Sequence, residues 1–156
     1  MASAPILLVS MPFGEDLDAV AVGAQVGAGL SGGAGDWEVL ERTPAEAAAA
    51  LRGARALVLA GPGLCGAAGE AARGAAADVG AAADGERGGD ALTALARDAR
   101  QAGVPAYGVT GCADPDLFAA RILDLQRLEH GRDRRSLRSA GRRLGETIRQ
   151  GSRADA

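Results

Sequence analysis

WEVLERTPAEAAAALRGARALVLA, residues 37–60, reads as a complete β-α-β unit. Trp37-Glu38-Val39-Leu40 is a short strand. Thr43-Pro44-Ala45-Glu46 then opens a helix. The Thr43 hydroxyl can accept from the backbone N–H of Glu46 while the Glu46 carboxylate reaches back to the Thr43 N–H, and Pro44 stands where a missing N–H costs nothing. The helix closes near Gly53. Ala56-Leu57-Val58-Leu59-Ala60, apolar throughout and followed by Gly61-Pro62-Gly63, is the next strand.

The same alternation extends in both directions. Ile6-Leu7-Leu8-Val9 is a buried strand, and Asp16 or Asp18 caps a helix through Leu30 that the stretch 31–35 breaks. Residues 67–77 read as a weak helix and residues 84–89 as a loop. Asp90 caps a helix with Leu92, Leu95, Ala96, Ala99 and Ala102 in register, closed by Gly103. Residues 105–109 form a fourth strand. Asp114-Pro115 opens a helix with Phe118, Ile122, Leu125 and Leu128 inward, closed by Gly131, where His130 meets the negative end of the dipole. A last helix, about 134–150, turns Leu137, Ala140, Leu144 and Ile148 inward. Strands alternating with helices imply one α/β, Rossmann-like domain over residues 1–150: a four-stranded parallel sheet, order 2-1-3-4, with helices on both faces. Residues 151–156 are expected as a disordered tail.

Composition narrows the chemistry. The chain has 156 residues, 47% of them hydrophobic and only 3% aromatic, so its core is built from Ala, Val, Leu and Ile. No apolar run approaches the roughly 20 residues of a membrane span, and the N-terminus lacks the pattern of a secretory leader, so a cytoplasmic location is expected. Two cysteines make neither a disulfide framework nor a zinc site by themselves. All 17 basic residues are arginine and there is one histidine. Schiff-base chemistry is excluded, and the usual phosphate-binding lysine and histidine base are scarce or absent. Residues 1–60 hold seven acids and three arginines, whereas residues 127–153 hold nine arginines and three acids. That basic segment suits a phosphate or partner surface or, as the favoured reading, a solvated helix face, with nucleic-acid binding not expected.

The loops after the strands gather at one edge of such a sheet, where ligands bind. They comprise residues 11–16, 61–66 and 110–114. Gly61-Pro62-Gly63-Leu64-Cys65-Gly66 also fits G-x-G-x-x-G, but a dinucleotide fingerprint belongs after the first strand, and Pro62 removes an N–H. Cys65 and Cys112 follow neighbouring strands, as a thiol pair or as two small residues in tight turns.

Several phrases in order resemble the type I glycerate kinase family. They are Ser10-Met11-Pro12-Phe13-Gly14-Glu15-Asp16-Leu17-Asp18-Ala19, the strand ending Ala60-Gly61-Pro62-Gly63-Leu64-Cys65-Gly66, the helix followed by Gly103-Val104-Pro105, and Phe118-Ala119-Ala120-Arg121-Ile122. The resemblance implies the Rossmann-like domain of that family without its inserted second domain. The family's motif lysine and serine fall on Gly14 and Asp16, its threonine, glutamate and aspartate on Ala60, Pro62 and Gly66, and its later Gly-Lys on the pair Gly89-Asp90. It therefore implies a chain that has lost ATP- and magnesium-dependent phosphorylation of glycerate and acts as a binding or interaction module. Alternatives are a phosphotransferase completed by a partner chain, or a nucleotide or dinucleotide binder. A small-molecule or nucleotide ligand is expected at Phe13, Gly14, Asp16, Gly61, Gly63, Gly66 and Asp90, with no catalytic or metal-binding residue assigned. A homo-oligomer or a partner protein is also compatible.

Overall fold

A computed structural model describes residues 3–61, 64, 81–111 and 117–154, with the backbone path alone for residues 81–90 and 117–119. The chain forms one α/β domain around a five-stranded sheet, every strand parallel, in the order β2-β1-β3-β4-β5. The strands are β1 (Ile6–Ser10), β2 (Val39–Glu41), β3 (Ala56–Ala60), β4 (Ala106–Thr110) and β5 (Leu125–His130). The helices are α1 (Ala19–Ala34), α2 (Pro44–Ala50, with a 3-10 turn Leu51–Gly53), α3 (Ala81–Ala102), α4 (Leu117–Ile122) and α5 (Arg134–Ala154).

Residues 37–60 fold as their pattern predicts. Thr43 and Glu46 form the reciprocal capping box, with Pro44 at the first helical position. Both partners' geometry favours the ionised carboxylate, and the hydrogen bonds from the Thr43 backbone and hydroxyl hold the Glu46 pKa below its usual value. The central strands β1, β3 and β4 are buried almost throughout, as a parallel sheet covered on both faces requires.

The two faces are packed differently. Ile6, Leu8, Val58 and Val109 point towards α1 and α5, where Val22, Val26, Leu30, Leu137, Leu144 and Ile148 complete the core. Leu7, Val9, Leu57 and Leu59 point to the other side, against Leu51, Leu92, Leu95 and Ala99 of the α2/α3 layer. The α1–α5 contact is a seam of glycines. A Cβ on Gly29 would lie 2.8 Å from the Arg142 nitrogen and press on the Arg138 carbonyl, and one on Gly145 would lie 2.6 Å from the Leu30 carbonyl oxygen. Gly33 and Gly141 meet the facing backbone in the same way.

That seam explains one departure from the sequence expectation. Helix α1 does not break at residues 31–35 but runs through Ser31, Gly32 and Gly33 to Ala34, with Gly35 ending it at φ +74°. Gly33 is weak helix former by propensity, yet only a residue without a side chain lets the helix touch α5.

The fifth strand is the larger correction. The predicted helix over residues 114–131 is instead α4, ended at Asp124 in the left-handed region (φ 55°), followed by β5. Leu125 and Leu128 share a helical spacing with Ile122, but they lie on a strand whose Arg127 and Glu129 turn towards α5. His130 accordingly ends a strand, not a helix. Helix α3 is described over Ala81–Ala102, so the loop expected at residues 84–89 is helical and Asp90 is interior to the helix instead of its cap. The buried anchors Leu92, Leu95 and Ala99 secure its second half, and propagation from a formed helix costs far less than nucleation. At the other end of the chain, α5 continues through residues 151–154, expected as tail, and Ser152 accepts a hydrogen bond from Arg55 at 2.8 Å. Among the described residues, no helix is long and apolar enough to cross a membrane.

Candidate functional site

The reversal of chain direction in the strand order falls between β1 and β3: from β1 the chain moves outward to β2, then crosses back to β3 and onward. At such a point the loops leave the sheet on opposite sides and a crevice opens at the carboxyl edge. Ser10 stands opposite Ala60 there. The hydrogen-bond ladder carries on one residue further, with the Met11 N–H donating to Ala60 O (2.8 Å), Gly61 N–H to Val109 O (3.0 Å) and Gly131 N–H to Thr110 O (3.0 Å). The first loop residues are therefore held by the sheet itself.

The loop after β1 closes on itself. The Phe13 N–H donates to the Leu17 carbonyl at 2.8 Å, and Gly14 turns the chain at φ +71°, a conformation glycine adopts without strain. Glu15 and Asp16 are exposed at its tip, while Leu17 is buried below. Asp18 caps α1, its carboxylate accepting from the Ala21 N–H at 2.7 Å. Met11 packs with the α2/α3 core and Phe13 with the α1/α5 core, so half-buried apolar side chains flank both sides of the sheet edge beyond β1. A Cβ on Gly111 would touch the Phe13 ring at 3.4 Å, and one on Gly61 would meet Leu92 at 2.5 Å and Met11 at 3.3 Å.

Beyond β5, Arg132 donates through Nε to the Gly111 carbonyl at 3.1 Å, joining the ends of β4 and β5. Asp133 starts α5 by accepting from the Ser136 N–H at 2.7 Å, and the hydrogen bonds from Ser136 hold its pKa below the ordinary value. Among the described residues, two buried polar atoms at this edge have no hydrogen-bond partner, Ser10 Oγ and His130 Nε2. They face opposite sides of the sheet, because Ser10 alternates in step with Leu8 and His130 with Leu128. Glu129 is a structural ion cluster: only 8% exposed, it accepts from Arg127 Nε and Arg143 Nε, each at 2.6 Å, and pins α5 to the edge strand.

Of the residues assigned from sequence, Phe13, Gly14 and Asp16 lie on the loop after β1 and Gly61 at the end of the neighbouring strand β3. Gly63, Gly66, Cys65 and Cys112 lie outside the described residues. Asp90 is two residues from Leu92, which lies against Gly61, so the backbone at Asp90 is within about 3 Å of helix rise of that level. Gly111 lies in the 110–114 loop expected at this edge, whereas Ser10, Arg132 and Asp133 were not assigned to the site from sequence. The pattern Asp133-Arg134-Arg135-Ser136 is a cap signal that could have marked the start of α5. Among the described residues no group of three or more His, Cys, Asp and Glu side chains could hold a metal ion. Two shallow clefts lie away from the crevice, one of about 310 Å³ at the opposite edge of the sheet beside Arg100, Pro105 and Asp124, the other of about 250 Å³ beside Arg135, Ser139 and Arg143.

No protein-family model matches the chain, and no curated protein matches it. Its fold does have solved counterparts. The crystal structure of a diflavin flavoprotein A3 from Nostoc sp. superposes with a TM-score of 0.57 over 100% of this chain and 99% of that one, at 12% identity. A flavodoxin-like domain from a Synechococcus sp. protein superposes with a TM-score of 0.50 over 93% and 99%, at 16% identity. The fold is flavodoxin-like. This corrects the resemblance to glycerate kinases, and with it the reading of the chain as a kinase-like protein. Five strands in one parallel sheet align with nearly the whole of a flavodoxin-like unit, so no lost inserted domain is needed to account for this chain. Of the phrases that carried the resemblance, Gly14 falls in the turn between β1 and α1 and Gly103 in the turn between α3 and β4, both at positive φ, where glycines are common to parallel α/β folds whatever they bind.

Proposed function

We propose that the chain is a small-molecule-binding module of flavodoxin-like fold, with a flavin-class heteroaromatic ring as its ligand, seated at the crevice between the β1 loop and the end of β3. The observation that carries the reading is the strand-order reversal at β1/β3 with Met11 and Phe13 half-buried on the two sides of the edge it opens. The orphaned Ser10 Oγ at the end of β1 adds an unsatisfied polar atom in the same place, where buried hydroxyls ordinarily find partners. The diflavin protein among the structural counterparts supplies the ligand class, as analogy of fold. Phe13, Gly14, Asp16 and Gly61 are the residues, described with their side chains, that the sequence assigned to the ligand.

The residues present suit one part of a flavin and not another. The ring needs apolar walls and close backbone, which Met11, Phe13, Gly61 and Gly111 offer. A ribityl phosphate needs free N–H groups or cations, and the β1 loop provides carboxylates. Titration of the purified protein with lumiflavin and riboflavin, followed by ring fluorescence and by backbone amide shifts, tests the proposal. Saturable quenching with shifts confined to residues 11–18 and Gly61 supports it. No saturable change with either ring overturns it.

A further inference from the structure

We infer that this crevice selects against phosphorylated ligands, taking a flavin without a terminal phosphate in preference to its monophosphate; the inference rests on the flavin reading above. A phosphate at a strand-helix turn is ordinarily held by free N–H groups at the helix N-terminus. At the start of α1 part of that seat is taken from within the chain. The Asp18 carboxylate takes the Ala21 N–H at 2.7 Å, the Asp18 carbonyl takes the Val22 N–H at 3.0 Å, and the Phe13 N–H is spent on Leu17 O at 2.8 Å. Glu15 and Asp16 stand exposed beside it, and the sequence has no basic residue before Arg42. Residues 11–18 therefore present three carboxylates and no cation to any anion approaching α1. Among the described residues, Arg132 is the cation held at this edge, and it stands at the other end of the crevice, bonded to Gly111 O. A dianionic phosphate at α1 would meet like charge and occupied donors, both of which disfavour it.

Asp18 is needed as the α1 cap, so the test leaves it in place and neutralises the loop tip with Glu15→Gln and Asp16→Asn. Riboflavin and flavin mononucleotide are titrated against the wild type and this double variant, at low and at high salt. Wild type is expected to bind riboflavin at least about tenfold more tightly than the mononucleotide, with the gap narrowing at high salt as charge is screened. The double variant is expected to gain several-fold in mononucleotide affinity relative to riboflavin, narrowing the gap between the two. Equal or tighter binding of the mononucleotide by wild type overturns the inference while leaving the flavin reading intact. So does a gap that the double variant fails to narrow. If Arg132→Gln selectively weakens the mononucleotide, the phosphate lies at the β4/β5 end and the assignment to α1 is wrong. Binding of neither compound removes the flavin reading itself.

Discussion

The two faces of the sheet solve the same packing problem in opposite ways. Against α3, leucine and alanine side chains fill the space. Against α1 and α5, the helices also meet each other backbone to backbone through Gly29, Gly33, Gly141 and Gly145. Side-chain packing degrades gradually when atoms are removed, because neighbours relax into part of the space. Backbone contact leaves no such latitude when atoms are added, since the obstacle is a main chain that cannot rotate away. The glycine seam should therefore be the brittle face and the leucine face the forgiving one.

The largest effect follows from this. Gly29→Val drives a branched side chain into the Arg138 and Arg142 backbone and should cost more than about 4 kcal/mol, enough to leave the domain largely unfolded. Gly32→Ala, three residues along the same helix, faces open space and should be neutral or stabilising by up to about 1 kcal/mol. Urea unfolding of the pair separates local packing from helix propensity. Tolerance of Gly29→Val would show that the helices can slide apart, and the contrast between faces would fail. On the other face, Leu92→Ala removes a side chain that is 1% exposed and should cost about 3 kcal/mol. The variant should still unfold cooperatively.

A smaller effect is expected at the helix caps, which belong to neither face. Thr43→Ala breaks the reciprocal cap of α2 and should cost about 1 kcal/mol at neutral pH. The cap also makes a signed statement about pH. Hydrogen bonds lower the pKa values of Glu46 and Asp133 in the folded state, so their stabilisation is present above the unfolded pKa values and is lost as pH falls through the folded ones. The Thr43→Ala penalty should consequently shrink on acidification below about pH 4. A penalty that stays constant with pH would mean that Glu46 takes no part.

Legibility in the sequence followed how local each determinant is. The Thr43-Pro44-Ala45-Glu46 cap and the apolar strands β1, β3 and β4 are set by residues a few positions apart, and they were read correctly along with the parallel order through four strands. Strand β5 was not, because an edge strand need not be apolar and its Leu125 and Leu128 happen to continue a helical spacing. The end of α1 was misplaced because Gly33 is justified by a helix more than a hundred residues away. At the candidate site, the place of the β1 loop at the carboxyl edge of the sheet was legible from its position in the chain alone. Its family was not, since glycines in turns report backbone geometry and not chemistry. Ser10 and Arg132 take their place at the edge only once the register of β1, β3, β4 and β5 is known.

The smallest expected effect separates backbone from side chain within the brittle face itself. Arg138 and Arg142 lie at the centre of the seam, yet it is their main-chain atoms that approach Gly29 and Gly33. Their side chains are exposed. The Arg142–Glu146 pair, 3.5 Å apart, is 69% and 43% exposed, a setting in which i,i+4 ion pairs contribute only about 0.3–0.5 kcal/mol. Changing both to Gln keeps the helix-forming main chain and should alter stability by no more than about 0.5 kcal/mol. The position with the most severe glycine constraint facing it would then tolerate replacement of its own side chain. A larger loss would mean that the guanidinium groups help to hold the two helices together. A gel shift with DNA or RNA at low salt, abolished in the double variant, would instead make the arginine stripe a binding surface, and the reading of a solvated helix face would fall.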